Sequence, residues 1–218
     1  RSSGTSYILT DVAYANGLWV AVGYSGTILT SLDGTTWIPR TSGTSSDLRS
    51  VAYDNGLWVA VGLGGTILTS PDGTSWTSRT SDTTSYLWDV AYADGLWVAV
   101  GGVGRISLSP DGTSWTSRAS GTTSDLWGVA YANGLWVAVG AGGTILTSTD
   151  GTSWTSRYSG TSEYLRGVAY ANGLWVVVGY NGTIRTSTDG TSWTSRTSGM
   201  TFSLGSVAYG NGLWVAAG

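Results

Sequence analysis

L-R-S-V-A-Y-D-N-G-L-W-V-A-V-G-L-G-G-T-I-L-T-S-P-D-G-T-S-W-T-S-R, residues 48 to 79, contains four short apolar runs separated by turn residues. The runs are Leu48 to Tyr53, Leu57 to Val61, Thr66 to Ser70 and Ser75 to Arg79. They are rich in Val, Ile, Thr, Tyr and Trp, which suit a pleated surface, so each is predicted to be a strand, A to D in order. Asn55-Gly56 between A and B is a two-residue pair of the kind that closes a hairpin, because both residues tolerate positive φ. Asp72-Gly73 fills the corresponding place between C and D. In strand B, Leu57, Val59 and Val61 face one way and Trp58 and Ala60 the other, so both faces of the sheet are predicted to be buried. Strand D, with Thr77, Ser78 and Arg79, is polar and reads as an outer strand.

The stretch recurs along the chain. Trp19, Trp58, Trp97, Trp136, Trp175 and Trp214 each stand in the phrase G-L-W-V, always 39 residues apart. A second series, Trp37, Trp76, Trp115, Trp154 and Trp193, follows D-G-T-x at the same interval. A four-stranded antiparallel unit of about 40 residues is the size of a propeller blade. The prediction is therefore an all-β β-propeller forming a single domain, with blades 7–40, 46–79, 85–118, 124–157 and 163–196 and a half blade 202–218, making six blade positions. Each buried tryptophan removes about 150–250 Å² from water, worth roughly 4–6 kcal/mol as an upper bound, so the eleven repeated indoles are expected to dominate the packing between blades. The half blade would leave a strand edge open, and an open edge invites self-association.

Composition excludes several function classes. The chain has 218 residues, no Lys, His or Cys, and a formal net charge of −3. Without Cys there are no disulfides or thiolate metal sites. Without His the commonest general base and transition-metal ligand are missing. No metal and no cofactor is expected. An acidic chain without lysine does not suit nucleic acid, and no apolar run approaches the length of a membrane span. Position 1 is Arg and no leader is visible, which reads as a processed, trimmed or designed form. An extracellular or cell-surface setting is the expectation for a natural version.

The phrase S-x-D-G-T-x-W at Ser31-Leu32-Asp33-Gly34-Thr35-Thr36-Trp37, and four more times, resembles the Asp-box of BNR repeats, with one residue fewer before the aromatic. The whole unit is similar to the bacterial BNR/YVTN/WD40-like repeat proteins. The resemblance implies the propeller fold and turn-stabilising roles for Asp33, Asp72, Asp111, Asp150 and Asp189, whose carboxylates would accept backbone N–H bonds. Sialidases share the box. They use three clustered arginines, a tyrosine nucleophile helped by a glutamate, and an aspartate acid. Here Glu163 is the sole glutamate, and Arg40, Arg79, Arg118, Arg157 and Arg196 fall once per blade. No carboxylate pair or Ser-His-Asp set can be assigned, so the chain is read as no enzyme, with a BNR-type glycosidase as a remote alternative.

The copies differ in two places. One flanks the first Leu of strand A: Ile8, Asp47, Tyr86, Asp125, Tyr164 and Ser203 before it, then Thr10, Arg49, Trp88, Trp127, Arg166 and Gly205 after it. The other is the B–C turn: Tyr24-Ser25, Leu63-Gly64, Gly102-Val103, Ala141-Gly142 and Tyr180-Asn181. In an up-and-down blade these share one face, near the central channel, while the constant turns share the other. Trp, Tyr, Arg and Asp are recognition residues. The candidate ligand site is therefore Tyr86, Trp88, Trp127, Tyr164, Arg166, Arg49, Asp47, Asp125, Tyr24 and Tyr180. The predicted function is a non-enzymatic recognition scaffold for a glycan or a protein surface, glycan preferred. The alternative is a structural, assembly or designed repeat protein without a ligand, in which loop variation is mere drift. Asn181-Gly182-Thr183 is read as a chance glycosylation sequon, and Asp11 and Asp89, at one strand-A position, as solvated acids rather than calcium ligands.

Overall fold

A computed structural model describes residues 3–218. Five four-stranded antiparallel sheets and one two-stranded sheet follow each other along the chain, and within each sheet the strands lie in chain order. Blade 2 sets the pattern, with strand A at Leu48–Asp54, B at Leu57–Gly62, C at Ile67–Ser70 and D at Thr77–Arg79. Blades 1, 3, 4 and 5 repeat these bounds displaced by multiples of 39. The half blade holds Ser206–Gly210 and Leu213–Ala217. Three-residue 3-10 turns such as Leu63–Gly65 connect B to C.

Strand D is two residues shorter than the sequence suggested, because the turn after Ser70 takes up residues 71–76. Each A–B hairpin closes on a left-handed residue followed by glycine, as at Asn55 (φ 47°) and Gly56 (φ 76°). Strand A carries an irregular register between Leu48 and Ser50, repeated in blades 1, 4 and 5, which turns the residue after the first Leu out of the ladder.

Packing divides the chain into two units, one of residues up to Ala99 with Ser107–Ser117, the other of Val100–Ile106 with Arg118–Gly218. In the first, Val20, Val22 and Ile28 of blade 1 meet Leu48, Val51, Trp58, Ala60 and Leu68 of blade 2. Val59, Val61 and Ile67 of blade 2 then meet Leu87, Val90, Trp97 and Ala99 of blade 3. The alternation read in strand B is thus realised: Trp58 and Ala60 face one neighbour, Val59 and Val61 the other. In the second unit Val137, Val139 and Ile145 of blade 4 meet Leu165, Trp175 and Val177 of blade 5, and Val176 and Val178 meet Leu204 and Val207 of the half blade.

The two tryptophan series do different work. Trp58, Trp97, Trp136 and Trp175 are fully buried. Trp37, Trp76, Trp154 and Trp193 are half-buried, so not all eleven indoles are core. Trp76 caps its own turn, its indole N–H donating to the Gly73 carbonyl at 3.0 Å. Asp11 and Asp89 are not solvated acids. Asp11 Oδ2 accepts the Val51 N–H of the next blade at 2.9 Å, and Asp89 Oδ1 accepts the Ser50 hydroxyl at 2.8 Å, so both acids tie neighbouring A strands together. Burial pushes the Asp11 carboxyl above the usual range, against its hydrogen bonds from Val51, Val12 and Ser50.

Candidate functional site

The variable positions are brought together by a backbone device. The carbonyl just before strand A accepts the first N–H of the same blade's B–C turn: Asp47 from Leu63, Asp125 from Ala141, Tyr164 from Tyr180. The chain passes so closely that a Cβ on Gly62 would lie 2.1 Å from the Asp47 carbonyl oxygen, which explains the glycine ending strand B. Side chains before strand A and on the B–C turn therefore share one edge of each blade.

Asp47 and Asp125 have a defined local task. Asp47 Oδ1 accepts the Ser25 N–H at 2.9 Å, and Asp125 Oδ1 accepts the Val103 N–H at 2.8 Å. Ser25 and Val103 hold positive φ, 54° and 58°, in the preceding blade's turn. Where the turn residue is Gly64 or Gly142, the next blade offers Tyr86 or Tyr164 at the same place. The aspartates are thus partners of strained turns, and they position the site more than they face a ligand.

The remaining candidates form two clusters, one in each unit. In the first, the Arg49 guanidinium carbon stands 4.6 Å from the Tyr24 ring centroid and 5.2 Å from that of Trp88. It donates to the Tyr24 hydroxyl at 3.1 Å and pairs with Asp47 Oδ2 at 3.3 Å. Tyr86 meets Trp88 edge-on at 5.5 Å. Arg49 Nε and Trp88 Nε1 are buried with no hydrogen-bond partner. In the second, Arg166 lies 4.8 Å from the Trp127 ring and 5.2 Å from that of Tyr180, and donates to the Tyr180 hydroxyl at 2.8 Å. Tyr164 touches both Trp127 (5.1 Å) and Tyr180 (5.2 Å). All ten residues singled out in the sequence find a place: eight in these clusters with Asp47, and Asp125 as a turn partner.

The second tryptophans' turns carry the five repeated aspartates. Asp72 Oδ1 accepts the Thr74 and Ser75 N–H groups at 2.8 Å each and the Ser70 hydroxyl at 2.9 Å. These bonds, backbone donors first, hold Asp33, Asp72, Asp111, Asp150 and Asp189 well below the usual carboxylate range. The arginines ending strand D are likewise engaged: Arg40, Arg79, Arg157 and Arg196 each donate Nε to a strand-C threonine at 2.8–2.9 Å. Among the described residues no His, Cys, Asp and Glu group could hold a metal ion, and no helix is long and apolar enough to cross a membrane.

Comparison with solved structures gives the architecture a name. The computationally designed Ika8 protein is 15% identical and superposes with a TM-score of 0.76 over 95% of this chain and 67% of its own. YCF48 from Cyanidioschyzon merolae is 17% identical, with a TM-score of 0.71 over 92% and 76%. A structure of YCF48 bound to D1 peptide is 22% identical, with a TM-score of 0.74 over 94% and 72%. The fold is a β-propeller. At such identities the likeness speaks for the fold alone. No protein family profile and no curated protein matches this chain. The propeller's chemistry-bearing residues are therefore those its own blades reveal. The sequence singled out Arg49 and Arg166 by their variability, but their wedging between rings depends on the strand-A irregularity, which leaves no mark in composition.

Proposed function

We propose that this propeller is a non-enzymatic recognition scaffold that binds a protein or peptide segment on the edge carrying the B–C turns and the starts of the A strands. The observation carrying the reading is the pair of arginine–aromatic clusters around Arg49 and Arg166. Trp, Tyr and Arg are the residues on which protein interfaces concentrate their binding energy. Buried donors without partners, such as Arg49 Nε and Trp88 Nε1, gain when a ligand supplies an acceptor. A glycan was the sequence-based preference, since sugars stack on open ring faces. Trp88 and Trp127 already pack against a guanidinium and a tyrosine, and the well-exposed rings are Tyr86 and Tyr164, which moves the balance towards a peptide. A structural neighbour crystallised with a peptide shows that the fold tolerates such a ligand.

Panning a random peptide library against the intact chain, with a glycan array in parallel, tests the reading. Tyr86→Ala and Tyr164→Ala should each weaken a selected peptide about 30-fold, roughly 2 kcal/mol for an interface anchor, with unchanged melting. Binders confined to glycans would make this a lectin. Binders indifferent to both substitutions, or none at all, would leave a scaffold without ligand. Turnover of a chromogenic glycoside would overturn the non-enzymatic assignment.

A further inference from the structure

Blade 3 departs from its sisters in one cleft, remote in sequence from the clusters above. Between its B–C turn and the connection following its strand D lies a cavity of about 590 Å³. It is lined by Val103, Arg105, Arg118, Ser120, Thr122 and Thr123 together with small residues, and by no acid. Three substitutions converge on it. Arg105 stands where the other blades have Thr27, Thr66, Thr144 and Thr183. Thr27, Thr66 and Thr144 fold their hydroxyls back on the turn carbonyls of Tyr24, Leu63 and Ala141 at 2.7–2.8 Å, whereas an arginine carries its charge outward into the cleft. Leu108 replaces the threonine to which every sister of Arg118 donates Nε, so that bond is closed to Arg118.

The third change is Val103. It holds φ 58° where blades 2 and 4 have glycine, a conformation that a β-branched residue adopts only under constraint, and it is 68% exposed on the cleft wall. Asp125 stabilises this turn from behind through the Val103 N–H. Blade 5 offers an internal comparison. Its corresponding cleft, about 320 Å³, also has two arginines, but Arg185 donates to the Gly160 carbonyl and Arg196 to Thr186.

We propose that the blade 3 cleft is an oxyanion site in which Arg105 and Arg118 grip a sulfate or phosphate ester. Two guanidinium groups lining one cavity repel each other unless an anion lies between them, and their planar forks match the oxygens of a tetrahedral oxyanion. Charge-assisted bonds of this kind are strong and directional. The site is separate from the recognition edge proposed above and does not depend on it.

The test titrates the intact chain at low ionic strength with sodium phosphate and sodium sulfate, reading arginine Nε–H resonances. Signals of Arg105 and Arg118 should move and saturate, while those of Arg79 and Arg157 stay in place. Arg105→Thr, which installs the sister blades' residue and so keeps the fold, should weaken binding at least about tenfold. Leu108→Thr, which returns to Arg118 its hydroxyl partner, should weaken it several-fold. Phosphoserine and glucose 6-sulfate, compared as probes, distinguish the two ester sources. Equal movement at Arg79 and Arg157, full affinity in Arg105→Thr, or no movement at all would overturn the proposal.

Discussion

Asp72 and its four counterparts accept their turn bonds as carboxylates, so protonation removes what holds those turns. Their carboxyls lie below the usual range in the folded chain. The stability they contribute is therefore fully present above the unfolded value of about 4 and is lost as pH falls below it. Asp11 has the opposite sign: its folded value is raised, so its contribution is fully present at lower pH and is lost as pH rises from about 4 through the folded value. Melting temperatures across pH 2–7 should fall on the acid side, and Asp72→Asn should flatten that fall. Asp11→Asn, which keeps an oxygen for the Val51 N–H without burying a charge, should melt no lower than the parent at pH 7. The repeated aspartates were legible in the sequence because S-x-D-G-T is a local turn and its bonds span three residues. Asp11 and Asp89 were not, because their partners lie about 40 residues away in the next blade.

The A–B hairpin shows how an element serves two purposes. Asn133 and Asn172 supply positive φ to the turn, and their side-chain amides donate to the hydroxyls of Tyr170 and Tyr209 in the following blade. Those tyrosines in turn pack on Trp175 and Trp214 across their own hairpins at 5.0 and 5.1 Å. Asn133→Gly keeps the backbone conformation and loses only the amide, which should cost about 1 kcal/mol in chemical denaturation. Asn133→Ala loses both and should cost about 2 kcal/mol or more. Equal losses would mean that the tyrosine bond carries no weight. The sequence disclosed the turn through the Asn-Gly pair. It could not disclose the clasp, nor the late start of strand D, since both depend on where a neighbouring strand comes to lie.

Across the whole molecule the 39-residue repeat made blade number and strand order readable before any coordinates, because each blade restates the same local rules. What differs is exposure. Val12 of blade 1 is 50% exposed where its counterpart Val51 is 4%. In the half blade, Leu213 is 63% and Val215 56% exposed, and its second strand has an unpaired edge among the described residues. Apolar edges of this kind favour pairing with another chain. Light scattering over a concentration series should give masses above the 22.6 kDa of one chain, and Val215→Lys should restore that value. A constant 22.6 kDa for the parent would show that the edge is tolerated in a monomer.

The interface of Val20, Val22 and Ile28 with Leu48, Val51 and Trp58 is repeated almost atom for atom by Val59, Val61 and Ile67 with Leu87, Val90 and Trp97. Equal interfaces make the chain a nearly one-dimensional lattice of coupled sites, each blade stabilised by its nearest neighbours. A sheet with a neighbour on one side only then has the shortest lifetime, so opening proceeds from such a sheet inward. A blade could also be gained or lost by recombination at a cost close to that of one lattice step, leaving the packing of the rest undisturbed.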